Sequence, residues 1–99
     1  MITEVLYDYQ EFCRELDHSK RIHWDAWSKA NGKSGLFFTL IFRIYGISRK
    51  GHILAFEFNW NYSVADEERK KKLLETLIKE YAEPLAATPG RWELAKVIP

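Results

Sequence analysis

Leu36-Phe37-Phe38-Thr39-Leu40-Ile41-Phe42-Arg43-Ile44-Tyr45 and His52-Ile53-Leu54-Ala55-Phe56-Glu57-Phe58-Asn59-Trp60-Asn61-Tyr62 are two apolar-rich runs joined through Ser48-Arg49-Lys50-Gly51. In the second run apolar residues alternate with mostly polar ones, which is the period of a strand that buries one face. A three-residue loop of Arg49, Lys50 and Gly51 suits a type I turn followed by a bulge, whose last residue takes a left-handed backbone that glycine adopts at little cost. The register follows from the loop. Ile44 faces Phe56, Phe42 faces Phe58, Leu40 faces Trp60 and Phe38 faces Tyr62 on one side of the hairpin. Tyr45 faces Ala55, Arg43 faces Glu57, Ile41 faces Asn59 and Thr39 faces Asn61 on the other. A slip of one residue would set Arg43 beside Phe56, so turn chemistry and hydrophobic pattern agree on one pairing.

Working outward, Ser63-Val64-Ala65-Asp66 has the spacing of a capping box, and Asp66, Glu67 and Glu68 place negative charge at the positive end of a helix dipole. Leu73, Leu74, Leu77, Ile78 and Tyr81 then form the apolar stripe of a helix that Pro84 is expected to stop. Pro89-Gly90 marks a turn, and Trp92-Glu93-Leu94-Ala95-Lys96-Val97-Ile98 reads as a fourth strand or as an extended tail packed on the sheet. On the other side, Asn31-Gly32-Lys33-Ser34-Gly35 is a turn, and Arg21-Ile22-His23-Trp24-Asp25-Ala26-Trp27 alternates as a short strand with Ile22, Trp24 and Ala26 inward. Val5, Tyr9, Phe12, Cys13 and Leu16 recur at helical steps, which predicts an amphipathic helix over residues 3–17 capped by Thr3. Two amphipathic helices and a sheet with one strongly apolar face make a two-layer α+β sandwich. The expected order is α-β-β-β-α-β, with an antiparallel sheet of three to four strands and both helices on one face, in a single domain spanning residues 1–99.

Fifteen basic and fourteen acidic side chains leave the net charge at +1, so bulk charge demands neither a polyanion nor an acidic substrate, and any basic site is a local patch. The single cysteine, Cys13, excludes an intramolecular disulfide and is expected as a small buried hydrophobe. The longest apolar run, residues 36–47, is broken by Arg43 and falls short of the ~20 residues of a membrane helix. The opening Met1-Ile2-Thr3-Glu4 is acidic where a signal peptide is basic. These features predict a soluble cytoplasmic protein with no cofactor and no membrane contact.

His18, His23 and His52, with Asp17, Asp25 and Glu57, are the material for a metal site or an acid–base pair, and their spacing matches no metal signature. His23 and Asp25 would lie on the outer sheet face near Glu57, but Arg43 opposite Glu57 makes a solvent-screened structural ion pair the expected role. No second cysteine or phosphate-binding glycine loop completes a mechanism. Gly32-Lys33-Ser34 lacks the earlier glycine that such a loop requires. The positive signal is the outer sheet face, where Trp27, Phe37, Ile41 and Tyr45 lie among Arg43, Glu57 and Asn59. Aromatics and arginine inside a polar rim are what protein interfaces favour. The expectation is therefore a non-enzymatic interaction module of the inhibitor, immunity or adaptor type. Its outer face is to be covered by the chain's own C-terminal segment, by a second copy in a homodimer, or by a different protein.

The alternative partner is nucleic acid. The expected order of the first five elements is similar to that of the double-stranded RNA-binding domain, and the resemblance implies a second helix that presents lysines to phosphates. The residues in that role here are Lys70, Lys71 and Lys72, with Lys33, Arg49 and Lys50 as further phosphate contacts. The chain departs from the family at two places. Asn31-Gly32-Lys33-Ser34-Gly35 replaces the family's Gly-Pro-x-His loop, and Asp66-Glu67-Glu68 puts acids where that helix begins.

Overall fold

The computed structural model describes residues 3–88 and 90–95. In chain order the elements are β1 (Thr3–Leu6), α1 (Tyr9–Glu15), β2 (His23–Ala30), β3 (Phe37–Ile47), β4 (Ile53–Ser63), α2 (Glu67–Leu77) and β5 (Trp92–Ala95). The strands form one five-stranded sheet in the order β1-β4-β3-β2-β5. The three central strands pair antiparallel, and each outer strand runs parallel to its neighbour. The α+β sandwich expected from the two amphipathic patterns is present, with the sheet larger than expected and mixed at its edges.

The hairpin has the register read from its turn, from Ile44 opposite Phe56 to Phe38 opposite Tyr62. Ser48 N–H donates to the His52 carbonyl and Gly51 N–H to the Ser48 carbonyl, each at 2.8 Å. Gly51 has φ +84°, the left-handed conformation this loop needs. β2 pairs on the other side of β3 with Trp24 opposite Ile44 and Ala26 opposite Phe42, so its even-numbered residues share the inward face. The core collects Phe12 from α1 and Leu16 just after it, Trp24, Leu40, Phe42, Ile44, Leu54 and Phe56 from the sheet, and Leu74 and Leu77 from α2. Within it the Ser28 and Tyr62 hydroxyls bond to each other, which meets the requirement that a buried hydroxyl find a partner. Phe58, opposite Phe42 on the same side of the hairpin, is only partly buried at the margin of this cluster. Cys13 is likewise at the margin of the core, as a free thiol.

Three expectations are corrected. Residues 3–17 are not one helix: Thr3–Leu6 is a strand parallel to β4, and the helix begins after Asp8. The Asp8 side chain accepts from the backbone N–H groups of Gln10 at 2.9 Å and Glu11 at 3.3 Å, satisfying donors that an uncapped helix start leaves open. The capping box at Ser63 is not formed. Its hydroxyl approaches the Asp66 carboxylate at 3.5 Å, because a 3₁₀ turn, Val64–Asp66, intervenes before α2. Pro84 does not end the helical path, which continues through a π-turn at Ile78–Ala82 and a 3₁₀ turn at Glu83–Leu85. The proline sits in the first positions of that last turn, where its missing N–H costs nothing, and the path ends at Ala86 with φ 53°. Trp92–Ala95 takes the strand form of the two expected. It pairs with β2 at the sheet edge, so these four residues do not lie across the outer face. Residue 89 of the expected turn and residues 96–98 of the expected strand lie outside the described residues.

Gly90 permits that last pairing. A Cβ at this position would lie 1.2 Å from the Trp24 carbonyl oxygen, so only glycine lets the chain enter β5 so close to β2. Gly90→Ala is expected to release β5, seen as loss of amide protection at Ala26, whose N–H donates to the Arg91 carbonyl at 3.1 Å. Phe42 is fully buried, and Phe42→Ala is expected to cost about 3–5 kcal/mol. Phe58→Ala should cost clearly less in the same urea titration.

Candidate functional site

The odd-numbered residues of β3 face away from the helices, and the register lines them up in rows across the sheet. Asp25, Arg43 and Glu57 form one row; Trp27, Ile41 and Asn59 form the next. Every residue of the candidate protein-binding set except Phe37 belongs to these two rows or to the adjacent Tyr45. Phe37 lies two positions beyond Thr39 at the strand end and is 55% exposed.

Arg43 organises the face. Its Nε donates to Glu57 Oε1 at 2.5 Å, and its Nη1 donates to the Tyr45 hydroxyl at 3.3 Å. The guanidinium lies over the Trp27 ring at 5.7 Å and the Tyr45 ring at 5.9 Å. The second oxygen of Glu57 accepts from Asn59 Nδ2 at 3.0 Å, and His23 stacks on Tyr45 with ring centroids 5.1 Å apart. Burial works against the charge on Arg43, but its hydrogen bonds to Tyr45 and Glu57 outweigh that and hold its pKa above the usual arginine value. The expectation of a solvent-screened pair is corrected here: Glu57 is only 8% exposed, because the arginine and the asparagine cover it. Asp25 is engaged elsewhere, accepting from the Arg91 backbone N–H at 3.1 Å. His23 comes no nearer to Asp25 than 4.0 Å, and Arg43 stands between Asp25 and Glu57 in the row. Among the described residues no group of three histidine, cysteine or carboxylate side chains is placed to hold a metal.

At one end of the face, Thr3, Arg21, His23, Tyr45, Gly46, Ile47 and Ile53 line an open hollow of about 340 Å³. Of these only His23 and Tyr45 are candidates read from the sequence; Thr3, Arg21, Gly46, Ile47 and Ile53 are not. β1 closes one side of the hollow through Thr3, and this strand is only four residues long.

The basic candidates do not form one patch. Phe37 pairs with Ser63, so the loop carrying Lys33 and the start of α2 lie at one end of the sheet. Arg49 and Lys50 occupy the hairpin turn at the other end. The eleven residues of β3 separate the two groups by about 33 Å at ~3.3 Å per residue. Lys70 is 2% exposed; its ammonium group bonds to Glu67 and lies over the Trp92 ring at 4.6 Å. Lys71 is paired with Glu68 at 3.4 Å, and Lys72 is exposed.

No protein-family model, curated protein or solved structure matches this chain. No helix among the described residues is long and apolar enough to cross a membrane.

Arg43→Met should cost about 1.5–3 kcal/mol, the range for hydrogen bonds to charged groups, since it leaves a largely buried carboxylate short of a donor. Adding Glu57→Gln should recover much of the loss, and a double-mutant cycle by chemical denaturation checks the coupling. Lys70→Gln should lower the melting temperature while Lys72→Gln leaves it unchanged, since only the first lysine is packed.

Proposed function

We propose that this chain is a small non-enzymatic protein-interaction module, of the inhibitor, immunity or adaptor type, that binds a protein partner on the outer face of its sheet. The observation that supports this reading is the stack of Trp27, Arg43 and Tyr45, held by Glu57 and Asn59 on a face that no described residue covers. A surface whose aromatic and guanidinium groups are already fixed loses little side-chain entropy on binding. Trp, Tyr and Arg are also the residues that most often dominate interface energetics. Ile41 lies at the middle of this face with Trp27 on one side and Asn59 on the other, where an apolar contact would be ringed by polar groups. The hollow beside Tyr45 gives a protruding partner side chain a place to seat. The working compartment proposed is the cytoplasm, in keeping with a lone free cysteine.

The partner surface is expected to be protein and not nucleic acid, since the basic residues are divided between opposite ends of the sheet and one of them is buried. Affinity capture from the source cell with wild-type and Ile41→Asp baits tests this, each with and without nuclease. Proteins that bind the wild type, survive nuclease and are lost from an Ile41→Asp bait with an unchanged melting temperature are the expected result. Identical capture by both baits, or capture that nuclease abolishes, rules the outer-face reading out.

A further inference from the structure

β4 is eleven residues long, and β1 pairs with only its first four, Ile53 to Phe56. From residue 58 to residue 63 no described residue lies beside it on that edge, although β3 pairs with it along the whole length. The turn fixes which backbone groups face the open side. Ser48 and His52 bond across the hairpin at one end, and Val64 N–H donates to the Leu36 carbonyl at 3.0 Å at the other. Antiparallel pairs alternate between bonded and non-bonded, so the even-numbered residues of β4 bond to β3. The N–H and C=O groups of Asn59 and Asn61 therefore point outward.

Edge strands are usually protected by lysine, proline, a bulge or an inward charge. This one has none of these: the sequence Glu57-Phe58-Asn59-Trp60-Asn61-Tyr62-Ser63 contains no lysine or proline, and its pairing with β3 runs without a bulge. Its single charge, Glu57, is already bonded to Arg43.

We propose that two copies of this chain pair antiparallel through these open β4 edges, about a two-fold axis at Trp60, to form one continuous sheet. The open segment is centred near Trp60, and in this register Asn59 faces the partner's Asn61 and Phe58 faces its Tyr62. No like charges meet. Asn59 and Asn61 of each copy, with outward backbone groups, exchange main-chain hydrogen bonds, and Trp60 meets its own copy in a non-bonded pair with close Cβ atoms. On the helix side, Phe58, Trp60, Arg69 and Leu73 line an open groove of about 460 Å³, which the partner's Trp60 enters. The ends also fit. Beyond the Phe58–Tyr62 pair the edge is closed by the end of β1 at Leu6, and there β4 of the other copy ends and turns into Val64–Asp66. Tyr7 at the end of β1 and Val64 are among the few exposed large hydrophobic residues, at 67% and 47%. The two-fold axis brings each Tyr7 to the other copy's Val64. Because the axis is perpendicular to the sheet, both outer faces lie side by side on one surface of the dimer, each as it is in the single chain.

Sedimentation equilibrium of the full chain is expected to give a dimer, lost in Asn61→Pro. The proline removes an outward N–H, so it leaves the ladder to β3 intact, and an unchanged far-ultraviolet spectrum checks this. Independently of that variant, Cys13→Ser/Trp60→Cys should oxidise to a disulfide-linked dimer while Cys13→Ser/Phe58→Cys should not, because Phe58 faces Tyr62 and not itself. Ile41→Asp should remain dimeric, so the outer-face reading and this one fail separately. A wild type that stays monomeric at all concentrations, including one whose edge accepts an unrelated extended peptide, overturns the proposal. So does a dimer that survives in folded Asn61→Pro, dissociates in Ile41→Asp, or cross-links no better at position 60 than at 58.

Discussion

The pairing of β3 with β4 is the constraint on which the other elements depend. Strand side chains alternate between faces, so one choice of register assigns every residue of both strands to the core or to the outer face. Gly51 makes that choice. Its left-handed backbone closes the loop after Lys50 and aligns Ser48 with His52, and the rest of the ladder follows from there. The helices then have only one surface to pack on. Phe12, Leu16, Leu74 and Leu77 meet Phe42, Ile44, Leu54 and Phe56 there, where burial of apolar area supplies most of the stabilisation.

The same register creates the polar order of the outer face. Arg43 and Glu57 are opposite one another because the turn places them so, and the guanidinium is flanked by Trp27 from β2 and Tyr45 from its own strand. Glu57 is desolvated by these neighbours, with hydrogen bonds from Arg43 and Asn59 replacing water. Such a pair fixes the orientation of the aromatic rings more than it adds stability, since desolvation offsets much of the Coulombic gain. The face is consequently stiff, apolar in patches and rimmed by amides.

The edges of the sheet follow a different logic. β1 and β5 are each four residues long and each runs parallel to a longer neighbour, so neither covers the strand it pairs with. At β5 the close approach is made possible by Gly90 and reinforced by the bond from Arg91 to Asp25. At β1 the short pairing leaves more than half of β4 open, and the polar side chains there, Asn59, Asn61 and Ser63, do not block a second strand.

By itself the sequence determined the hairpin, its turn and its register, because period-two alternation and a glycine at a left-handed position are local signals. It also determined the second helix, the inward face of β2 and the opposition of Arg43 to Glu57. The tertiary structure alone decided that Thr3–Leu6 is a strand. Four residues are too few for a period to show, and their backbone bonds exist only because the edge of β4 lies beside them. It decided likewise that Trp92–Ala95 extends the sheet and does not fold over it, since that depends on a contact between Gly90 and Trp24 that are far apart in the chain. The division of the basic residues between two ends, and the burial of Lys70 beneath Trp92, were equally beyond the sequence. A lysine run reads as a solvated face until the packing of its neighbours places one member inside.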